Sequence, residues 1–209
     1  MSKVTPLRRL IGIVAMHVMA VLAFAVPHST VAATIRQIGT ADLINASKLI
    51  VHGLVVDKWA ESGSVQGSIV TRVQLQVKDV IKGQSPNSLI TLSFLGGTLG
   101  NLEQYVAGSN VPEIGEEGIY FLENPDRFLV NPFVGWTQGH FIVDQADQRV
   151  QTYAGDKVFE MRLKSGPAQL EFADRHAYGV IVEPTNAHTT PMHVDEFVSE
   201  LRLLIGRQK

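Results

Sequence analysis

Five histidines carry most of the potential for metal or acid–base chemistry in residues 34–209. They are His52, His140, His176, His188 and His193. His188 and His193 are five residues apart, a spacing that does not put two imidazoles on one helical face. His52 and His140 fall in predicted strands and could meet across a barrel beside Asp144, but no ligand spacing of a known zinc type accompanies them. Satisfied structural histidines are therefore favoured, and we expect neither a metal nor a cofactor.

Other motifs that could carry chemistry are incomplete. The run GSVQG at 63–67 has the letters of a nucleophile elbow in the wrong frame. The glycine cluster 96–100 lacks the spacing of a phosphate-binding loop, and a turn with positive φ angles explains it. Glu116 and Glu117 are adjacent, so on a strand they would point to opposite faces, and in a turn we expect them to be solvated. The sequence therefore predicts no catalytic residue.

Large aromatic side chains are the best candidates for a binding surface. Phe128, Phe133 and Trp136 lie in a stretch rich in turn residues, where such side chains can form a recognition site. The alternative is that alternate members of this stretch fill one end of the core. Trp59 can likewise cap the core or stack against a sugar. These four residues are the candidate sites for a ligand or partner.

Period-two alternation predicts the strands that would position these residues. Residues 69–77 alternate between an apolar and a polar face, and the pattern slips at Asp79, which indicates a bulge. The run 49–56 predicts a strand buried on both faces, with Gly53 at a bulge or a close backbone approach. Further strands are predicted at 89–95, 119–122, 129–130, 133–134, 140–143 and 149–153, with a long loop at 101–112. Short strands separated by Gly and Pro turns favour a barrel or a sandwich.

Two helices frame the predicted strands. Thr40 can cap a short helix over 40–47, with Asp42 in its first turn. A second helix over 191–206 has Thr190 as its cap, Pro191 at its first position and apolar residues at i, i+3, i+4 and i+7. This amphipathic helix most simply packs on the barrel. A partner-binding or membrane helix is the alternative, although its acidic residues oppose binding to anionic lipid.

Residues 1–33 have the order of a secretory signal peptide. A positive end precedes the apolar run 10–26, and small residues at 31–33 suit a signal peptidase. We expect cleavage near Ala33 and a periplasmic or secreted protein, with a permanent membrane anchor as the alternative. The chain has no cysteine, which excludes thiol chemistry and a lipoprotein anchor. Its net charge of −2, without basic clusters, makes nucleic acid an unsuitable partner.

A series of motifs in residues 41–143 resembles a known group of domains. They are ASKLIVHGLV at 46–55, VKDVIKG at 77–83, the glycine pair at 96–97, IGEEGIYFL at 114–122 and GWTQGHF at 135–141. This pattern is similar to that of exported bacterial domains with the netrin-like, or tissue-inhibitor-of-metalloprotease-like, OB barrel. In those inhibitors an N-terminal cysteine chelates the zinc of the target protease. Because this chain has no cysteine, the resemblance implies a fold and assigns no functional residue.

Together these patterns predict a mainly β protein. We expect a signal peptide at 1–33 and one domain at 34–209, an OB-like closed or partly open barrel with a short N-terminal helix and a C-terminal helix at 191–206. Without a convergent set of nucleophile, base and oxyanion donors, a non-catalytic binding or accessory module is favoured over an enzyme. Its partner would be another exported protein or a cell-envelope ligand, and no membrane contact is expected after cleavage. An inhibitor or partner of an exported protease, and a hydrolase with dispersed site residues, are the alternatives.

Overall fold

Ten strands and two α-helices organise the part of the chain that this computed structural model describes, residues 36–85, 87–166, 176–184, 186 and 188–208. The predicted leader at 1–33 lies outside the described residues. The strands are β1 (Leu49–Ser62), β2 (Ile69–Lys82), β3 (Leu89–Leu95), β4 (Gly97–Leu99), β5 (Leu102–Gln104), β6 (Glu117–Leu122), β7 (His140–Val143), β8 (Val150–Thr152), β9 (Glu160–Met161) and β10 (Val180–Ile181). The helices are α1 (Thr40–Ala46) and α2 (Val194–Gly206), and Trp136–Gly139 forms a one-turn 3-10 helix.

Six strands form one antiparallel sheet in the order β3-β2-β1-β6-β7-β8. The first three strands are consecutive hairpin neighbours, and β6 returns to pair with the other side of β1. Two further two-stranded sheets are formed, one by the β4–β5 hairpin and one by β9 and β10. The prediction of a mainly β protein with two helices is confirmed.

Strands β1 and β2 are longer than their sequence patterns suggest. Each has 14 residues, because the polar stretch that follows Val56 stays paired with β2 as far as Ser62. Their register shifts at three places, one of which falls between His52 and Gly53, opposite the predicted slip at Asp79 in β2. A Cβ atom on Gly53 would lie 3.1 Å from the carbonyl oxygen of Gln76, so the predicted close approach is also confirmed.

The sheet buries apolar side chains on both faces. One face, which we call the aromatic face, packs Phe94, Tyr120 and Phe133 against the apolar residues of β1, β2 and β3. The other, which we call the helix face, packs under α1, α2 and the C-terminal segments. Strand β6 lies at the centre of both clusters, because alternate residues of a strand point to opposite faces and every residue from Glu117 to Leu122 is buried.

Helix α1 begins differently from its prediction. Its N-cap is Gly39, and Thr40 does not cap the helix with its side chain. The Thr40 hydroxyl instead donates to the carbonyl of Arg162 and accepts from the N–H of Lys164. The predicted Thr40 cap is therefore wrong, because a tertiary contact with the C-terminal segment uses the hydroxyl.

Helix α2 starts three residues later than predicted. Its N-cap is His193, whose Nδ1 accepts from the N–H of Asp195 at 3.3 Å. Residues before it are extended, since the N–H of Met192 donates to the carbonyl of Val158. The predicted cap at Thr190 and first turn at Pro191 are therefore wrong. The apolar stripe is confirmed, and its buried members are Val194, Phe197, Val198, Leu201 and Leu204.

The sheet ends at β3 on one side and β8 on the other in the described chain, and no strand pairing joins these two strands. The outer edge of β8 is covered, because the N–H of Val150 donates to the carbonyl of Met192 and its carbonyl accepts from the N–H of Val158. The edge strand predicted at 149–153 is confirmed as β8, whereas the loop predicted at 101–112 contains β5. The strands predicted at 129–130 and 133–134 reduce to a single bridge between Phe133 and Leu122. Pro132 has no N–H to extend that bridge into a ladder. No helix among the described residues is long and apolar enough to cross a lipid bilayer.

Candidate functional site

Strand β3 is an edge strand with uncovered backbone groups. The N–H of Gly96 donates to the carbonyl of Ile69, which sets the phase of the antiparallel ladder with β2. That phase turns the N–H and C=O groups of Leu89, Thr91 and Ser93 away from β2. No described residue forms a hydrogen bond with any of these backbone groups. A five-residue length of strand, 89–93, is therefore open to another chain through the backbone groups of three of its residues.

A groove lies between this edge and the segment 124–130. The segment reaches β3 at one end, where the N–H of Leu95 donates to the carbonyl of Val130 at 3.0 Å. Away from that contact the segment and the strand separate, and Thr91 and Pro125 line two adjoining cavities of about 1180 and 260 Å³. We call the two cavities together the edge groove.

The two ends of the edge groove differ in chemistry. Its larger end contains the apolar side chains of Leu49 and Val80. Its smaller end contains Arg72, Arg127 and the half-exposed ring of Phe128. The Arg127 side chain makes no ion pair with any described residue. An extended ligand would thus meet an apolar surface at one end and a cation at the other.

Arg72 is held in place by hydrogen bonds to neighbouring side chains. Its Nε donates to Glu61 Oε1 at 2.8 Å, and its Nη1 donates to the hydroxyl of Ser93. Trp59, the cross-strand neighbour of Arg72, donates its Nε1–H to Glu61 Oε2 at 3.3 Å. Hydrogen bonds from Arg72 and then Trp59 hold the pKa of Glu61 below its ordinary value. Trp59 and Arg72 therefore belong to one polar cluster beside the edge groove.

Another cavity, separate from the edge groove and of about 420 Å³, lies beside the β4–β5 hairpin. We call it the hairpin groove. Its walls are the hairpin, the segment 105–113, Lys58 of β1 and Tyr153, which follows β8. Lys58 Nζ lies 2.7 Å from Glu113 Oε1, so its charge is compensated within the groove. Tyr105 stands at the mouth with 81% of its surface exposed.

Glu116 joins two buried rings on the aromatic face behind the hairpin groove. Its Oε1 lies 2.6 Å from His140 Nε2 and accepts from the hydroxyl of Tyr120 at 3.2 Å. The His140 ring also lies 5.1 Å from the ring of Tyr153. Burial raises the pKa of Tyr120 well above its ordinary value, and Glu116 raises it further. Burial and then Glu116 and Glu113 raise the pKa of Tyr153, which keeps its hydroxyl protonated as a donor.

Glu117 makes a different set of contacts on the helix face. Its Oε1 lies 2.7 Å from His52 Nε2, and its Oε2 lies 2.7 Å from Lys78 Nζ. Burial on its own would raise the pKa of Glu117, but hydrogen bonds from Lys78 and His52 outweigh burial and lower it. This ion pair links three adjacent strands, β2, β1 and β6.

The expectation that Glu116 and Glu117 are solvated is wrong. The Glu116 side chain is 16% exposed and that of Glu117 is 8% exposed, because β6 begins at this point and buries both faces. Their predicted separation onto opposite faces is confirmed. The same alternation keeps His52 and His140 apart, so they do not meet beside Asp144. The described residues contain no group of three or more side chains suited to a metal ion.

The four aromatic candidates occupy different environments. Phe128 lines the edge groove and is 52% exposed, and Trp59 is 38% exposed beside Arg72. Trp136 is half-buried in the 3-10 helix with a φ of 58°. Phe133 is 1% exposed and stacks on Tyr120 with ring centroids 5.5 Å apart, so it belongs to the core and cannot form part of an exposed surface. The structure thus brings Phe128 and Trp59 to the same region and removes Phe133.

Sequence reasoning did not identify the backbone of β3 or the polar residues of the hairpin groove. The absence of charged residues and proline from 89–95 was a usable signal, because edge strands are usually protected by such residues. No comparable signal in the sequence marks Tyr105, Lys58 and Tyr153, since only the fold brings these distant residues together. Comparison with known proteins found no matching family model, no similar curated protein and no similar solved structure.

Proposed function

We propose that this protein is an exported, non-catalytic binding module that takes an extended segment of another exported protein onto the edge of β3. The observation that carries the proposal is the uncovered backbone of Leu89, Thr91 and Ser93 beside the edge groove. Strand addition to an exposed sheet edge is a common way for domains to bind peptides. The backbone supplies affinity, and pockets on either side of the added strand supply specificity.

The lack of protection along β3 supports this role. Proteins usually guard an exposed edge with charges, proline, bulges or a covering segment. Strand β3 carries neither a charge nor a proline, and its covering segment reaches it only at Leu95. Leu89, at the opposite end, is 45% exposed. An unguarded edge next to a preformed groove fits a docking site better than it fits a solvated surface.

The lining of the edge groove defines the partner. An added strand would lie with one end beside Leu49 and Val80 and the other end beside Arg127 and Phe128. We therefore expect a segment with apolar residues at one end and polar residues at the other. At least one of the polar residues would be acidic, because Arg127 has no ion-pair partner among the described residues.

We also propose that the sheet is a partly open OB-type barrel. Three hairpin-connected strands with a fourth returning beside the first form a Greek key, and β1, β2, β3 and β6 are arranged in this way. The OB fold is a five-stranded, partly open Greek-key barrel, and β7 would supply the fifth strand. In this proposal the edge groove is the opening in the barrel wall.

A catalytic role has less support. There are two histidine–carboxylate pairs among the described residues. His140 contacts Glu116, and His52 contacts Glu117. No serine or threonine hydroxyl in the described chain forms a hydrogen bond with either ring, so the relay needed to activate a nucleophile is missing. Inhibition of an exported protease is a narrower form of the binding proposal, in which the added strand belongs to the protease.

Thr91→Pro tests the strand-addition proposal. The N–H of Thr91 points away from β2, so proline removes a donor for a partner without removing a bond of the sheet. Nine-residue peptides would be selected from a phage-displayed library on the wild-type protein. We expect sequences that are apolar at one end and acidic at the other, with an affinity that falls about tenfold or more on Thr91→Pro, since each lost hydrogen bond costs about 1 kcal/mol and the ring obstructs the partner strand.

Thr91→Val is the matched control, because it changes the same side chain and keeps the N–H. It should retain binding and the wild-type circular dichroism spectrum. Selected peptides that bind Thr91→Pro as tightly as wild type would contradict strand addition. Self-association of the wild type that Thr91→Pro abolishes would instead identify a second copy as the occupant. Export itself is tested by cell fractionation and by sequencing the mature N-terminus.

A further inference from the structure

We propose that the hairpin groove is a second binding site, separate from the edge groove, and that it takes a neutral oligosaccharide. The groove lies between the β4–β5 hairpin and the segment 105–113 and shares no lining residue with the edge groove. Its cavity of about 420 Å³ lies within the usual range for small-molecule sites. Gly96 and Gly97 lie along one wall of the groove.

The hairpin groove concentrates hydrogen-bonding side chains that have no partner among the described residues. The unpartnered groups are the side chains of Thr98, Glu103 and Asn110 and the hydroxyl groups of Tyr105 and Tyr153. In the edge groove, by comparison, Lys48 is paired with Asp126 and Arg72 with Glu61, whereas Arg127 has no ion-pair partner among the described residues. A ligand with many hydroxyl groups matches such a set, because each hydroxyl both donates and accepts.

The charges in the hairpin groove favour a neutral ligand. The ion pair between Lys58 and Glu113 leaves no free cation among the described lining residues to bind a sulfate, phosphate or carboxylate group. The Tyr153 hydroxyl beside them remains protonated and can donate to a sugar oxygen. Glu103 is the one lining carboxylate without an ion-pair partner in the described chain, and a carboxylate readily accepts from sugar hydroxyls.

Tyr105 supplies the surface on which a sugar ring would stack. Its exposure of 81% is the largest among the exposed large hydrophobic residues of the described chain. A tyrosine presents a broad apolar face together with a polar hydroxyl, which suits the apolar face and polar rim of a pyranose. Tyr153, at the inner wall, is held against the ring of His140 and so offers a fixed second contact.

Isothermal titration calorimetry with cellohexaose, chitohexaose and laminarihexaose tests the proposal. We expect at least one of these neutral glycans to bind wild type and Tyr105→Ala to weaken that binding about tenfold, the upper range for loss of a stacked ring. Leu102→Ala is the matched control, since Leu102 is 68% exposed on the same hairpin and does not line the groove. Both positions are exposed, so both variants should keep the fold.

Three results would overturn the proposal. The first is that none of the three glycans binds the folded wild-type protein. The second is that Tyr105→Ala binds as tightly as wild type, or that Leu102→Ala weakens binding equally. The third is that a heparin-derived hexasaccharide or spermidine binds in place of the neutral glycans, which would make the groove an anion or a cation site. Thr91→Pro should leave glycan binding unchanged, which separates this site from the edge groove.

Discussion

Glu116 and Glu117 are adjacent in the chain and yet serve opposite faces of the sheet in opposite ways. Glu116 lies on the aromatic face, where its partners are the rings of His140 and Tyr120. Glu117 lies on the helix face, where its partners are His52 and the cation of Lys78. One buried carboxylate thus contacts two aromatic side chains, and the other contacts an imidazole and an ammonium group.

This difference shows how a central strand can bury two acidic groups at once. Buried carboxylates need either a hydrogen-bonding network or a compensating charge. On the aromatic face, the imidazole of His140 and the phenol of Tyr120 serve as partners of Glu116 within the cluster of packed rings. The helix face opens to solvent beside Lys78, whose side chain is 39% exposed, so an ammonium group can reach Glu117 without complete desolvation.

Replacing the two histidines separately gives the largest contrast. His140 is enclosed by the rings of Tyr120, Phe133 and Tyr153 at centroid distances of 5.2, 5.0 and 5.1 Å. His140→Ala should lower the free energy of unfolding by about 3 kcal/mol, because it leaves a cavity within the aromatic cluster. His52→Ala should cost about 1 kcal/mol, since it removes a hydrogen bond from a site that keeps Lys78. Urea denaturation monitored by circular dichroism measures both, and equal losses would contradict the contrast.

Replacing each carboxylate by an amide should give a smaller difference in stability, and here the larger loss falls on the helix face. Glu117→Gln should destabilise the protein by about 2 kcal/mol, because it removes the negative charge that Lys78 and His52 share. Glu116→Gln should cost about 1 kcal/mol or less, because the amide oxygen still accepts from His140 and Tyr120. The same denaturation measurements apply. A larger loss in Glu116→Gln than in Glu117→Gln would show that charge also dominates on the aromatic face.

Local patterns in the sequence predict much of the fold and little of the interactions between strands. The alternation in β2, the strand β3 and the apolar stripe of α2 are visible because each depends on a period within one element. The polar end of β1 is not visible in the sequence, because its hydrogen bonds to β2 make it a strand despite its composition. Thr40 and Thr190 are misassigned as caps because tertiary contacts compete with local capping.

The candidate sites are less predictable for the same reason. Phe128 and Trp59 are identifiable as large aromatic residues in polar surroundings, but so is Phe133, which the fold buries. The edge groove depends on which strand lies at the edge of the sheet, and strand order is not encoded in any single strand. The hairpin groove combines Lys58, Tyr105 and Tyr153 from three distant segments. Only the pairing of β1, β6 and β7 reveals that Glu116 and Glu117 are buried.

The pH dependence of stability tests the charge on the helix face most finely. The pKa of Glu117 is lower in the folded protein than its ordinary value of 4.5. The unfolded chain therefore takes up a proton at higher pH than the folded protein does, and stability falls with falling pH. The contribution of Glu117 should be complete above pH 4.5 and should disappear as the pH falls through the folded-state pKa.

The difference in unfolding free energy between wild type and Glu117→Gln should accordingly shrink as the pH falls below 4.5. Urea denaturation of both proteins across the acid range measures that difference directly, with the background of other carboxylates cancelled. The matched control repeats the pair in a Lys78→Met background, where the hydrogen bond from Lys78 to Glu117 is gone and the pH dependence should weaken. A difference that stays constant with pH would mean that Glu117 contributes through packing and not through its charge.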